Sequence, residues 1–271
     1  MSYPLSPDRP LWLLGCGNMA GAMLARWLET GLDPAAVTVI DPNRMTAPTG
    51  VRLLTAAPQG ETPPAALMLG VKPQGFATAS AGLDVTDTIV FSIMAGVDQA
   101  SLKARLPDAR AIVRLMPNLP AALGKGVALL HAPDADGETR ALADALAASL
   151  GLALWLDDEA LIDAGTAVSG SGPAFVYRFI DAMAAGAEKL GFSDDQAQAL
   201  ALATVEGAAA LASASLESPA ALAERVASPK GTTRAGLDVL DADEAIYDLV
   251  YRTLKAAADR AGELAAEART G

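Results

Sequence analysis

The clearest hydrophobic pattern in the chain spans residues 11–28. Four consecutive apolar residues, Leu11-Trp12-Leu13-Leu14, predict a strand buried on both faces. Gly15-Cys16-Gly17-Asn18-Met19-Ala20 predicts a turn. Beyond it Ala20, Met23, Leu24, Trp27 and Leu28 recur at helical spacing. Apolar, β-branched runs predict further strands at 37–40, 67–71, 88–93, 111–115, 126–130 and 153–156, with a helix over 137–150. Residues 45–66 carry Pro, Thr, Gly and Ala without periodicity, and no regular element is predicted there. The first ten residues hold three prolines and read as a frayed tail.

After about residue 161 the alternation of strand and helix stops. Pro173 sits where a helix start tolerates proline, and that helix stops at Gly191. Ser193-Asp194-Asp195-Gln196 fits a capping box opening an alanine-rich helix to about 213. Ser218-Pro219 opens a short helix, and 244–269 reads as another long one. The expected architecture is α/β: an N-terminal doubly wound sheet of the Rossmann type over residues 1–162, then an all-helical domain over 163–271. The helical half has many alanines and few large side chains, so it is expected to bury its surface against a second copy.

Composition narrows the functions. A net charge of −12 supplies no basic face for nucleic acid or an anionic membrane. No run of about 18 uninterrupted apolar residues occurs, so no membrane span is expected. The single cysteine, Cys16, permits no internal disulfide and fits a reducing cytoplasm. It reads as a small buried spacer inside the turn. His131, the only histidine, follows a strand without a motif partner and reads as a surface residue. No Cys/His cluster has metal-ligand spacing, so no metal is expected.

Strand, glycine turn and helix together make Gly15-Cys16-Gly17-Asn18-Met19-Ala20 a dinucleotide-binding candidate. Gly15 makes the tight turn, and Gly17 removes a Cβ so that the backbone can approach a pyrophosphate. Asn18 and Met19 open the helix whose free N–H groups face the phosphates. Asp41 ends the second strand about 20 residues beyond the turn, where an acid meets the ribose 2′-OH of NAD. Arg44 follows closely and could accept the 2′-phosphate of NADP instead. Val71, Lys72 and Pro73 lie at a strand carboxyl end, where a doubly wound sheet lines its ligand crevice.

Two stretches are odd for pure helix packing: Ser169-Gly170-Ser171-Gly172-Pro173-Ala174, and Ser228-Pro229-Lys230-Gly231-Thr232-Thr233 followed by Ala235-Gly236-Leu237. The second runs a hydroxyl-rich turn into a helix. The free N–H groups with the hydroxyls of Ser228, Thr232 and Thr233 would hold a carboxylate.

These stretches, with the glycine turn, Val71-Lys72-Pro73-Gln74 and Arg114-Leu115-Met116-Pro117-Asn118, resemble the pyrroline-5-carboxylate reductase family over nearly all of residues 11–265. The resemblance implies a Rossmann domain followed by an all-α dimerisation domain, with homodimers through the C-terminal helices that can build larger assemblies. It implies hydride transfer from NADPH or NADH to 1-pyrroline-5-carboxylate, giving L-proline in the last step of proline biosynthesis. It implies that Ser228, Gly231, Thr232 and Thr233 bind the substrate, with Thr233 contacting the ring nitrogen. Some members use a Glu ahead of this signature. Glu217 is the nearest one here and is left outside the expected site. The strand end Asp41-Pro42-Asn43-Arg44 departs from a common form of the family, in which Arg or Ser follows the strand.

The chemistry agrees with the scarcity of acid–base residues. A cyclic imine nitrogen is basic enough to be protonated before hydride arrives, so positioning and electrostatics carry the reaction. A β-hydroxyacid dehydrogenase would need a proton donor, commonly a lysine after the glycine motif of the interdomain helix. No lysine follows 169–172 before Lys189. A non-catalytic NAD(P)H sensor would keep the glycine turn without needing the 228–233 stretch.

Overall fold

The computed structural model describes the backbone of residues 3–270 and the side chains of all of these except 264, 265 and 267–270. The first part runs β1 (Leu11–Leu14), α1 (Asn18–Glu29), β2 (Val37–Ile40), β3 (Arg52–Leu54), β4 (Ala66–Leu69), α2 (Pro73–Ala79), β5 (Ile89–Ser92), α3 (Gln99–Arg105), β6 (Ala111–Pro117), β7 (Gly126–His131), α4 (Gly137–Ala148), β8 (Gly151–Trp155) and α5 (Ala160–Gly165). A single π-helical stretch, Thr166–Gly170, follows. The second part is helical: α6 (Gly172–Lys189), α7 (Asp194–Ala214), α8 (Pro219–Val226), α9 (Thr232–Asp241) and α10 (Ala245–Thr270). The expected class, a doubly wound sheet followed by helices, is the observed one.

The described strands form one sheet in the order β3-β2-β1-β4-β5-β6-β7-β8, parallel except at β6–β7. Helices cover both faces, so the central strands are apolar throughout. Leu11 and Leu13 pack with Met23, Leu24 and Trp27 on one face. Trp12 and Leu14 pack with Leu67, Leu69 and Phe76 on the other. Alternation along one four-residue strand therefore feeds two cores. The indole of Trp27 donates to the Leu146 carbonyl at 2.8 Å, tying α1 to α4.

Three expectations need correction. The first residues are not frayed: Leu5 is buried in the core, the Tyr3 hydroxyl bonds Thr30 Oγ1 at 2.6 Å, and Arg9 pairs with Glu138. One apolar anchor and two polar ones outweigh a proline-rich composition. His131 is buried rather than at the surface. It lies opposite Arg114 in the antiparallel pair, and its Nδ1 contacts the Leu156 carbonyl at 2.9 Å. The stretch 45–66 contains β3, an edge strand of three residues beside β2, too short to show a period.

The chain divides into two compact units. One runs to Gly170 and takes in the chain from Ala257 on; the other is Ser171–Ala256. The division falls beyond the expected 162/163 boundary, where α5 is still running.

In the second unit the helix starts are as read from sequence. Ser193 accepts from Gln196 N and Gln196 reaches back to Ser193 N, closing the capping box of α7. Ser218 caps α8, and Gly191, at φ +104, follows α6. The unit has little core of its own. Among its described residues only Ala184, Ala197 and Ala201 are buried apolar ones. Val176, Phe179, Leu200, Leu202, Leu211 and Tyr251 are all exposed. By length and composition α7 could cross a membrane, with only 11 % of its most apolar window buried. The sequence expectation counted uninterrupted runs, and Glu206 interrupts this one without making the helix polar.

Candidate functional site

The glycine turn is built by close approach. Gly15 has φ +82, and a Cβ there would lie 2.7 Å from Val71 Cγ1 and 2.9 Å from Val71 N. Gly70 faces it: a Cβ there would stand 2.5 Å from the Gly15 carbonyl oxygen and 2.9 Å from Ala20 Cβ. The ends of β1 and β4 therefore approach through backbone, and the start of α1 meets them through Ala20 Cβ. Gly17 differs, because nothing lies within 4 Å of where its Cβ would be. It is the N-cap of α1 without any side-chain cap bond, and no acidic residue occupies the first turn. The space a Cβ would fill, beside uncapped N–H groups, fits a phosphate.

Asp41 and Arg44 close over this turn. Asp41 Oδ2 accepts from Cys16 N at 2.9 Å and Oδ1 accepts from Asn43 N at 2.9 Å. Arg44 donates through Nε to the Thr46 carbonyl at 3.0 Å and through Nη1 to the carbonyl and sulfur of Cys16. A cleft of about 530 Å³ is lined by Cys16, Gly17, Asn18, Gly21, Asp41, Asn43 and Arg44. Burial pushes the Cys16 thiol pKa up, opposed by the Arg44 charge and reinforced by Asp41. The thiol is therefore held protonated, and its burial is that of a packing residue.

Of the expected cofactor residues, Gly17, Asn18, Asp41 and Arg44 share this cleft wall. Gly15 lies beneath, as part of the turn. Met19 is half-buried against the core. Val71 packs over Gly15, Lys72 is the exposed N-cap of α2, and Pro73 is its first residue. These last three stand at the carboxyl end of β4 outside the cleft wall.

Two residues to which sequence alone assigned no role brace β6 and the connection that follows it. Arg114, on β6, is almost wholly buried and pairs with Glu159 at 2.9 Å and Asp163 at 3.4 Å. Asn118 uses both ends of its amide: Nδ2 donates to the Ser169 carbonyl and Oδ1 accepts from Val127 N, each at 2.8 Å. It fixes the π-helical stretch to the β6–β7 connection, and such stretches recur at functional sites. The signal available for Gly70 was a lone glycine in an apolar run, which marks close backbone approach.

The second cluster is the turn before α9. Gly231 N donates to the Ser228 carbonyl at 2.9 Å. Pro229 and Lys230 are the central residues, and Lys230 has φ +60, the arrangement of a type II turn with a non-glycine residue in its left-handed position. A Cβ on Gly231 would lie 2.3 Å from Ser228 Oγ. Gly231 caps α9 without a side-chain bond, leaving the first N–H groups of that helix unpaired by side chains. Ser228, Thr232 and Thr233 are exposed. The cation Arg234 is committed to Glu224 and Asp238. Glu217 is paired with Arg225 at 2.6 Å. The four expected substrate residues thus stand together at one helix start, and Glu217 is engaged elsewhere.

Comparison with known proteins gives a consistent result. Residues 159–264 match the profile of the pyrroline-5-carboxylate reductase dimerisation domain. A pyrroline-5-carboxylate reductase from Pseudomonas aeruginosa is 36% identical over 261 residues, covering 93% of this chain and 95% of that protein. The structure of a pyrroline-5-carboxylate reductase from Coxiella burnetii superposes with a TM-score of 0.87 at 30% identity, covering 94% of this chain and 98% of that one. A pyrroline carboxylate reductase from Plasmodium falciparum, solved with NADP bound, has the same fold, with a TM-score of 0.82 at 21% identity over 96% and 99% of the two chains.

Proposed function

The chain belongs to the pyrroline-5-carboxylate reductase family, and from that membership we propose how its own residues divide the work of the reaction. The enzyme reduces 1-pyrroline-5-carboxylate to L-proline with NAD(P)H, and its C-terminal region makes it a homo-oligomer. What is proposed is the assignment of residues. The observation that carries it is the uncapped start of α9, with Ser228, Thr232 and Thr233 around a glycine whose Cβ would stand 2.3 Å from the Ser228 hydroxyl oxygen.

The substrate carboxylate binds the N–H groups at the start of α9 together with the hydroxyls of Ser228 and Thr232. Gly231 keeps that approach open. Thr233 hydrogen-bonds the ring nitrogen and orients the imine. The nitrogen is already protonated, so as hydride adds to the imine carbon the C=N π electrons become the nitrogen lone pair. No residue has to deliver a proton in that step. The reduced nicotinamide, when bound, supplies the hydride. Gly15, Gly17, Asn18 and Met19 give its pyrophosphate the start of α1. Asp41 and Arg44 hold the adenosine ribose and whatever its 2′ position carries. Val71, Lys72 and Pro73 line the strand end further along. We assign the dinucleotide domain to 1–162 and the substrate and dimerisation domain to 163–271.

The homo-oligomer is a homodimer through the C-terminal helices, able to build larger assemblies. The exposed face of α7 meets a second copy rather than a membrane. With its acidic charge and lone cysteine, the enzyme works in the cytoplasm on a small molecule and binds no nucleic acid.

The first test is oxidation of NADPH and of NADH with and without the imine, at matched concentrations. Imine-dependent oxidation is expected. Coenzyme binding with no turnover would overturn the substrate assignment. Thr233→Ala is expected to lower kcat/KM for the imine by about tenfold to a hundredfold, the loss of one or two hydrogen-bond equivalents. Unchanged kinetics would remove Thr233 from the mechanism. Coenzyme choice depends on two opposite charges beside one cleft. Arg44→Ala is expected to lower the NADPH:NADH ratio of kcat/KM by about tenfold, and Asp41→Ser to raise it by a similar factor. Ratios that stay fixed in both variants would place the 2′ position elsewhere.

A further inference from the structure

We propose that Asn118 is a positioning residue for imine reduction. It supplies the hydrogen bond that Pro173 withholds from the Ser169 carbonyl, and so fixes the residues that leave the first unit at the sheet edge where the coenzyme binds. The proposal rests on the reaction assigned above, which wild-type turnover tests separately.

The proline explains why a side chain is needed. In a continuing α-helix the N–H of residue 173 would donate to the carbonyl of residue 169, four back. Residue 173 is proline and has no N–H. The next amide, Ala174 N, donates to the Ser171 carbonyl at 3.0 Å. The Ser169 hydroxyl turns back to the Gly165 carbonyl at 2.9 Å, so it does not tie the segment to the sheet. Asn118 Nδ2 fills the gap, donating to the Ser169 carbonyl at 2.8 Å. The donor is held rigidly. Asn118 is only 6% exposed. Its Oδ1 accepts from Val127 N at 2.8 Å, so reversing the amide would set donor against donor and acceptor against acceptor. The start of β7 behind it is tightly packed: a Cβ on Gly126 would lie 2.6 Å from Ala121 N.

Its place in the sheet connects this bond to the reaction. β1, β4, β5 and β6 are parallel neighbours, so Asn118, one residue past β6, stands at the same edge as the glycine turn. Asp41, just past β2, lies on the opposite side of that turn. A dinucleotide spreads to both sides of the point where strand order reverses. With the adenosine ribose assigned to Asp41 and Arg44, the nicotinamide half belongs to the side of β4, β5 and β6, where Asn118 holds Ser169. Gly170 is the last residue before the chain enters the second unit. Release of the Ser169 carbonyl therefore disturbs the reacting end of the coenzyme site and leaves the pyrophosphate turn intact.

The test compares Asn118→Ala with the double substitution Asn118→Ala/Pro173→Ala, which returns an N–H to the start of α6. Asn118→Ala is expected to lower kcat for the imine by about tenfold to a hundredfold, the scale of a misplaced positioning element. The Kd values of NADPH and NADH, from fluorescence titration, should change by less than about twofold, because the phosphate turn is untouched. In the coenzyme-free protein, hydrogen exchange of a peptide spanning 162–172 should quicken by at least about tenfold as the segment loosens. The double variant should recover most of the lost turnover and most of the lost protection, since its new N–H serves the Ser169 carbonyl. Wild-type kcat in Asn118→Ala, a parallel loss of coenzyme affinity, unchanged exchange, or a double variant no better than the single one would each overturn the proposal. Should Asn118→Ala fail to fold, the double variant decides alone. It is expected to fold and to turn over within about tenfold of wild type, having regained the hydrogen bond; a double variant that stays unfolded or inactive would overturn the assignment.

Discussion

Gly70→Ala is expected to lower kcat/KM with either coenzyme by at least about a hundredfold and the melting temperature by several degrees. The added methyl would stand 2.5 Å from the Gly15 carbonyl oxygen and 2.9 Å from Ala20 Cβ. Neither neighbour is the far end of a flexible side chain. The first is backbone in a turn already held by Gly15 N to the Ile40 carbonyl. The second is the first buried residue of α1. Relief therefore requires the end of β4 to move away from the turn, or the turn to move away from β4. Overpacking of this kind costs about 1–3 kcal/mol, and a displacement of ~1 Å at a positioning element can cost a hundredfold in rate. Gly70 does not have a left-handed φ, so the effect isolates close approach from backbone strain. Gly17→Ala provides the contrast. Its methyl meets nothing within 4 Å, so stability should hold while coenzyme affinity falls. Thermal melts and fluorescence titration with NADPH measure both. A Gly70→Ala enzyme with wild-type coenzyme affinity would show that the turn does not need this contact.

That contrast marks where sequence reading succeeds and where it stops. The glycine turn was legible because its elements are local: an apolar run, two glycines and a helical period within 18 residues, 11–28. The capping box at Ser193 and the helix start at Ser218 were legible for the same reason. Gly70 is marked in the sequence only as a lone glycine in an apolar run, and that its close neighbour is Gly15 follows only from the parallel pairing of β1 with β4. His131 was misplaced because its burial depends on the antiparallel register that sets it opposite Arg114. The brace of Arg114, Glu159 and Asp163 spans elements far apart in sequence. Leu5 gave no signal, being one apolar residue among prolines, yet it fills a place in the core. At the α9 turn, the residues could be named from their order along the chain. Lys230 in a left-handed conformation and the tight fit of Ser228 against Gly231 required coordinates.

The double substitution Leu200→Asp/Leu211→Asp is expected to abolish the homo-oligomer and, with it, imine reduction. These residues lie 11 apart (211 − 200), which at ~100° per residue returns to within about 20° of the same helix face. Both are about half exposed on α7, while the buried side of that helix is Ala197 and Ala201. A unit whose buried apolar residues are three alanines gains little from its own packing, since alanine buries one methyl. Fully burying one leucine is worth about 1.5–3 kcal/mol. If a second copy covers this face, two leucines from each chain contribute several kcal/mol to association. Aspartates in their place must be desolvated without partners, which removes that gain and adds a penalty. The wild-type enzyme should accordingly melt at a temperature that rises with protein concentration. It should also stay in aqueous solution without detergent, whatever the mean hydropathy of α7. The variant should elute at the size of a single chain and bind coenzyme through the first unit, whose core is large and its own. It should not turn over the imine, because the α9 turn belongs to the unit left without support. Size-exclusion chromatography with light scattering, read beside the coenzyme and imine assays, separates these outcomes. A variant of wild-type size and wild-type turnover would place the interface on another face of the helical unit.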